Sequence, residues 1–400
     1  MSQRALLRNL RLLRGYGNRQ LILSASCYPS ASPSSSSSHL KGCSRSYTLS
    51  TLRKAGSESY PQIDYGSLTI NRTSNPKEKV AFEKLIFGQT FSDHMLQMDW
   101  NEDVGKWTKP TISEFKNMEI SPAAGCLHYG MECFEGMKAY KDKEGSIRLF
   151  RPEMNMKRMN FSMQRLSFPS LDEHGFLECI KELVKLDRDW IPDDLGYSLY
   201  LRPTAIGTSP FLGVTASKDI KLFCICSPVG PYFKSGLEAV QLYADTENVR
   251  AWPGGTGNAK VGGNYGPSIA PQVKAMTGHD CHQVLWLFGD DYQITEVGAM
   301  NIFFVTRNPK NLKQKVVVTP PLSRGDILPG VTRDSVINMI RSGHLNDVEE
   351  DIIVEERAVT MNEILQTYKE DRLCEIFCAG TAVVICPVSF FFTFRIYPFF

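Results

Sequence analysis

Apolar positions along this chain repeat at two different spacings, and the switches between them divide it into elements. In "SLDEHGFLECIKELVKLDRDW", Phe176, Ile180, Leu183 and Val184 fall on one face at helical spacing, and Ser170 with Glu173 makes a capping box. "GSIRLFRPEMNMKRM" predicts a short strand, a turn and a helix. "YSLYLRP", "IKLFCICSPVG", "HQVLWLFG", "NIFFVTR" and "KVVVTPP" predict strands, with "DDY" as a turn. "TRDSVINMIRSG" predicts a helix that ends at Gly343, Thr360 with Glu363 caps another, and "LCEIFCAGTAVVICPV" is mostly strand. No internal repeat is visible. Strands mixed with helices in both halves predict an α/β (α+β) chain. Its 400 residues exceed one typical core, so two domains are expected.

"PVGPYFKSG" breaks the pattern with Pro228, Gly230, Pro231 and Gly236, and is the expected linker. Ordered structure is expected to begin near residue 75. That gives a small N-terminal domain over 75–228, an interdomain loop over 229–239 and a larger domain over 240–388.

Charge changes the reading of the N-terminus. Residues 1–57 hold nine cations (Arg4, Arg8, Arg11, Arg14, Arg19, Lys41, Arg45, Arg53 and Lys54) and no acid before Glu58. The total is only +2, so the remainder is net negative and unsuited to gripping nucleic acid. Arg4, Arg8 and Arg11 share one helical face, Leu6, Leu10 and Leu13 lie around the other, and a serine-rich run follows. That is a transit-peptide pattern, mitochondrial in first place and plastid in second. The eleven cysteines are scattered without a CxxC pair, so no disulfide framework is expected, and Cys224 and Cys226 read as core. His279, Cys281 and His282 in "GHDCHQ" match no standard zinc spacing, so no metal is expected. No run of about 18 apolar residues suggests a membrane span.

The candidate chemistry starts at "PGGTGNAKVGGNYGP", residues 253–267, where six glycines surround Lys260 and Tyr265. A Walker loop needs Gly before the lysine and Ser or Thr after it; here Ala259 and Val261 flank it. A lysine held in tight backbone suits imine chemistry, in which a desolvated amine attacks a carbonyl; a surface lysine in a flexible loop is equally compatible with this stretch alone. Glu296, between apolar residues of "QITEVGAMNIFFV", is either an exposed turn acid or a carboxylate for a pyridine-ring nitrogen. Gly330, Val331 and Thr332 form a loop-to-helix junction whose free N–H groups suit a phosphate, or simply a capped helix. "CAGTAVV" offers a further turn of N–H groups. Lysine, ring-nitrogen carboxylate and phosphate-binding helix start are the anchors that pyridoxal phosphate requires.

From about residue 80 to 388 the chain closely resembles the branched-chain-amino-acid aminotransferases, specifically the mitochondrial-type eukaryotic members. The resemblance rests on "FSDHMLQMDW", "LHYGMECFEGMKAY", "LFRPEMNMKRM", "SLYLRP", "GGTGNAKVGGNYGP", "TEVGAMNIF", "ILPGVTR" and "GTAVVICPV". It implies the two-domain class IV aminotransferase fold, pyridoxal 5'-phosphate between the domains and a homodimer. The implied reaction is transamination of L-leucine, L-isoleucine and L-valine with 2-oxoglutarate. Lys260 would then be the catalytic, cofactor-bonding lysine, with Tyr265 by the phenolic oxygen and Glu296 on the pyridine nitrogen. Arg158, Val331, Thr332 and Thr381 would hold the phosphate. The turn at Thr381–Ala382 would receive the substrate carboxylate. Phe87, Tyr129, Phe134, Tyr200 and Tyr232 would line the side-chain pocket, and Arg202 would help accept the second carboxylate of glutamate.

The chain departs from the family pattern in three places. Val383 stands where vertebrate members carry the first cysteine of a CxxC pair, so Cys386 is left without that redox partner. Ala299 replaces a common threonine. The segment 389–400, "SFFFTFRIYPFF", aligns with nothing in the family, so the larger domain is expected to end short. Alternative readings are another class IV enzyme, such as a D-amino-acid aminotransferase or aminodeoxychorismate lyase, or an inactive truncated isoform.

Overall fold

The computed structural model describes residues 61–231, 239–344 and 351–392. The expected transit segment 1–57 and Tyr232 lie outside them. Two sheets organise the chain. The first contains β1 (Thr69–Ile70), β2 (His94–Asn101), β3 (Lys106–Trp107), β4 (Thr111–Glu114), β5 (Glu132–Phe134), β6 (Met137–Lys141), β7 (Ile147–Leu149), β8 (Ser198–Gly207) and β9 (Asp219–Val229). Its main path runs β1-β4-β2-β9-β8-β6-β7, with β3 on β2 and β5 on β8. The second contains β10 (Val240–Asp245), β11 (Gln283–Phe288), β12 (Gln293–Val297), β13 (Asn301–Asn308), β14 (Asn311–Thr319), β15 (Ile352–Glu356), β16 (Leu373–Gly380) and β17 (Val384–Phe392). Its order is β12-β11-β10-β17-β16-β13-β14-β15.

Six α-helices pack against or connect these sheets among the described residues: α1 (Gly125–Tyr129), α2 (Pro152–Arg165), α3 (Glu173–Leu186), α4 (Ile269–His279), α5 (Val331–Arg341) and α6 (Met361–Lys369). Pro152 at the first position of α2 costs no hydrogen bond there. Met156, Met159 and Met163 of α2 and Phe176, Ile180 and Leu183 of α3 are fully buried in one core beneath the first sheet. Cys224 and Cys226 join that core from one face of β9, as alternation in a strand requires. The cap of α3 differs from expectation: Asp172, not Ser170, is the N-cap, and its Oδ1 accepts from Gly175 N at 3.1 Å. Its Oδ2 accepts from Ile63 N at 3.1 Å, so one carboxylate caps the helix and holds the N-terminal segment. A Cβ on Gly175 would lie 2.6 Å from both that Oδ2 and the Ile63 carbonyl, so only glycine fits. Order therefore begins ahead of residue 75, with Ile63 in the core.

The second sheet corrects a different expectation. Residues 389–392 do not leave the fold: they continue β17, which lies between β10 and β16. The pairing with β10 is parallel, joining Gln241 to Phe390, Leu242 to Phe391 and Tyr243 to Phe392. Residues 393–400 lie outside the described residues. In "GHDCHQ", His279 stacks on Tyr243 with ring centroids 4.5 Å apart, Cys281 is buried, and His282 Nδ1 accepts from Gln241 N at 3.1 Å.

Candidate active site

The loop at 253–267 follows β10 in sequence but packs into the core of the first half. Ala259 and Val261 belong to the cluster formed by α2, α3 and the first sheet, and Val261 bridges Cys133 of β5. Lys260 between them is fixed through its backbone on both sides. Its N–H donates to Ser162 Oγ of α2 at 2.8 Å, and its carbonyl accepts from Phe134 N of β5 at 3.0 Å. Asn264 staples the loop from within, donating to the carbonyls of Thr256 at 2.8 Å and Ala259 at 2.9 Å. The lysine amine then lies 3.1 Å from the hydroxyl of Tyr265.

The glycines of this loop suggest thin backbone next to a ligand. At two of them the crowding comes from the protein itself. A Cβ on Gly262 would lie 1.9 Å from Glu132 Oε1, and one on Gly257 would lie 2.5 Å from Ala251 Cβ and 2.7 Å from the Asp326 carbonyl.

Aromatic rings extend from Lys260. Phe134 and Tyr265 have centroids 5.0 Å apart, and the amine lies 4.8 Å from the Phe134 ring. The Arg202 guanidinium sits 4.4 Å from the same ring and donates to Tyr200 OH at 3.2 Å. Phe87 meets Tyr200 edge-on at 4.9 Å. A Cβ on Gly136 would lie 2.1 Å from Tyr200 OH, so that glycine makes room for the phenol. Phe87, Phe134, Tyr200 and Arg202 are thus joined by contacts to Lys260 and Tyr265. Tyr129 is not among them. The helix α1 ends at Gly130 in the left-handed region, and Tyr129 is left exposed with its hydroxyl donating to the Leu212 carbonyl.

Glu296, on β12, is buried. Its Oε1 accepts from Asn301 Nδ2 at 3.0 Å and Leu328 N at 3.4 Å. Its Oε2 lies 2.6 Å from Arg250 Nη1, an ion pair by distance, yet the two are not aligned as a hydrogen bond, and Oε2 has no donor. Burial pushes this carboxyl up to about 7 against the pull of Arg250, the Leu328 N–H and Lys260. A buried carboxylate oxygen without a donor fits a protonated ring nitrogen, which brings its own N–H.

From Glu296 the network runs to the start of α5. Leu328 N reaches Glu296, and the next carbonyl, Pro329 O, accepts from Arg158 Nη1 at 3.0 Å. Gly330 is the N-cap of α5 with no side-chain cap, so the first N–H groups of the helix have no intrahelical partner. A cavity at this point is lined by Val331, Thr332, Thr381, Asn155 and Lys138. Free helix N–H groups with threonine hydroxyls fit an anion. Lys138 is buried and donates to the Ala382 carbonyl at 2.7 Å, which holds the Thr381–Ala382 turn; burial pushes its ammonium down to about 8.

Arg158 is itself held by a residue that sequence reading passes over. Glu135 is fully buried and accepts from Arg158 Nε at 2.7 Å and Nη2 at 2.8 Å, the two-pronged geometry guanidinium favours. Asn155 completes the carboxylate at 2.8 Å. Ser162, Arg250 and Glu135 are invisible as site residues in the sequence because none belongs to a pattern. An acid directly after the short strand β5 is the one available signal.

Comparison with known proteins shows the family. The family model described as amino-transferase class IV matches residues 132–390. A branched-chain-amino-acid aminotransferase of Monosiga brevicollis is 49% identical over 82% of this chain and 81% of its own length. A mitochondrial one of Bos taurus is 44% identical over 84% and 82%. Among solved structures, the branched-chain amino acid aminotransferase of Thermobaculum terrenum, in its PLP form, shares the fold with a TM-score of 0.58 at 20% identity, over 76% of this chain and 87% of that one. This chain belongs to the class IV aminotransferase family, among its branched-chain-amino-acid aminotransferases.

Proposed function

We propose that this chain transfers the amino group of L-leucine, L-isoleucine or L-valine to 2-oxoglutarate with pyridoxal 5'-phosphate as cofactor. The observation that carries the reading is the Lys260 amine 3.1 Å from Tyr265 OH, with buried Glu296 near enough for the lysine cation to favour its ionised form. When bound, the cofactor supplies an aldehyde for an amine and a ring that accepts the electron pair left at the substrate Cα. Lys260 Nζ would bond to that aldehyde and, once free, would take the substrate Cα proton as general base. Glu296 would keep the ring nitrogen protonated, and Tyr265 OH would hydrogen-bond to the phenolic oxygen. Arg158, Val331, Thr332 and Thr381 would hold the phosphate, and the N–H groups at Thr381–Ala382 would orient the substrate carboxylate. Phe87, Phe134 and Tyr200 give an apolar wall for a branched alkyl group, while Arg202 offers a cation to the second carboxylate of glutamate. The family resemblance adds Tyr232 to this wall, while Tyr129 of this chain stands apart from it.

Residues 75–228 and 240–388 are read as the two domains around a linker at 229–239, with the segment from Ile63 adding to the first and residues 389–392 to the second. The Arg-rich, acid-free segment 1–57 supports a mitochondrial address, and both mitochondrial and cytosolic forms occur among the relatives. A homodimer is supported by exposed apolar residues, Leu127, Phe211 and Leu212 on one side and Ile269, Val273 and Met276 along α4 on the other. The test is absorption spectroscopy of purified protein with added cofactor. A band for lysine-bound cofactor that vanishes in Lys260→Ala is expected, and a spectrum unchanged by that substitution refutes the reading.

A further inference from the structure

We propose that Ser162 is the positioning residue that sets the Lys260 amine, by fixing the lysine's backbone to the same helical turn that carries Arg158. The inference rests on the assignment of Lys260 as the cofactor-bonding lysine. Ser162 is fully buried on α2. Its hydroxyl has both its roles committed: Oγ–H donates to the Arg158 carbonyl one turn earlier at 2.9 Å, and Oγ accepts the Lys260 N–H at 2.8 Å. Committing the proton to the helix carbonyl leaves the oxygen lone pairs turned to the loop. The contact spans 98 residues of sequence, so it places one segment against another rather than capping its own helix.

The other backbone tie of Lys260 is to β5, through Phe134 N. That bond fixes the carbonyl side of the residue, and Ser162 fixes the amide side. Four residues before Ser162, Arg158 is clamped by Glu135 and reaches the Pro329 carbonyl beside the start of α5. One turn of α2 therefore fixes both the arginine that approaches the anion-binding helix start and the backbone from which the amine extends. Removing the hydroxyl leaves a half-buried N–H without its acceptor, and the loop relaxes toward water or another partner. The lysine side chain stays chemically intact while its reach to the cofactor aldehyde changes.

The test uses the full chain loaded with pyridoxal 5'-phosphate, in wild type, Ser162→Ala, Ser162→Cys, Ser162→Thr and Lys260→Ala. Cofactor released in alkali gives total binding. Borohydride reduction followed by intact mass gives the lysine-attached fraction, and a pH titration of the absorption band gives the protonation of the attached form. In Ser162→Ala the ratio of attached to unattached cofactor should fall about tenfold, as expected for one orphaned half-buried donor, with a displaced titration and little change in total binding. Ser162→Cys, which keeps the volume but is a weak acceptor, should behave the same way, and it reads the effect without a cavity. Ser162→Thr keeps the hydroxyl and should restore the attached fraction. An attached fraction and titration equal to wild type in both Ala and Cys variants overturn the proposal, even if their melting temperatures drop, because that is the mark of a purely structural hydroxyl. A wild type that attaches no cofactor at Lys260 overturns the underlying assignment as well, which separates the two failures.

Discussion

At the scale of single residues, burial decides which charged groups are useful. Glu296 is raised from its ordinary 4.5 to about 7 by burial, with Arg250 pulling the other way. A carboxyl raised on folding binds protons more tightly in the native state than in the unfolded chain between those two values. Stability of the cofactor-free protein should therefore fall as pH rises through that window, by roughly 1.4 kcal/mol per pH unit at most. Glu296→Gln should flatten this dependence, as read from urea midpoints measured below and above the window. Glu135 illustrates the opposite case, a fully buried acid whose two oxygens are satisfied by Arg158 and Asn155. Glu135→Ala strands the Arg158 cation in the core and should cost about 3–5 kcal/mol in denaturant unfolding. Lys260, Tyr265 and Glu296 are legible in sequence because each sits in a distinctive local string. Glu135 and Ser162 are not, because their meaning lies in partners 23 and 98 residues away.

Elements are legible where local signals agree with packing. The apolar stripe of α3 and the Thr360 cap of α6, which accepts from Glu363 N at 3.2 Å, follow directly from spacing. The start of α3 differs from the sequence expectation because two candidate caps lie close together, and a tertiary contact makes the choice. Asp172 wins over Ser170 since its second oxygen also serves Ile63 N. Asp172→Ala should therefore cost more than the roughly 1 kcal/mol of an ordinary cap, and hydrogen exchange should report faster loss of the Ile63 amide as well as of the first turn of α3. Asp172→Asn, which keeps one acceptor oxygen, should retain most of the cap. Glycines are the hardest to read from sequence. Gly257 and Gly262 look like a ligand cradle, yet the atoms that exclude a side chain there belong to Ala251, Asp326 and Glu132.

At the scale of the whole molecule, the site exists because the two halves interlock. The Lys260 loop follows a strand of the second sheet but sends Ala259 and Val261 into the core of the first half. Ties run back from α2 and β6: Arg158 to Pro329, Lys138 to Ala382, and Arg151 to Asp334 and Ser335. Such exchange between segments distant in sequence leaves no mark in hydrophobic periodicity, and neither does the parallel seat of β17 beside β10. Some of what remains outside is apolar. Leu127, Phe211 and Leu212 are 57%, 59% and 60% exposed on α1 and the loop between β8 and β9, a combination that favours a partner surface over water. If the second copy covers this face, Leu212→Glu should shift the chain from dimer to monomer in sedimentation, because it places an unpaired charge in an apolar contact. Leu312→Glu, at a position also exposed at 56% but lying on β14, should leave the sedimentation unchanged. A dimer unaffected by Leu212→Glu but lost in Val273→Glu would instead locate the contact on α4, where Ile269, Val273 and Met276 form the other exposed row.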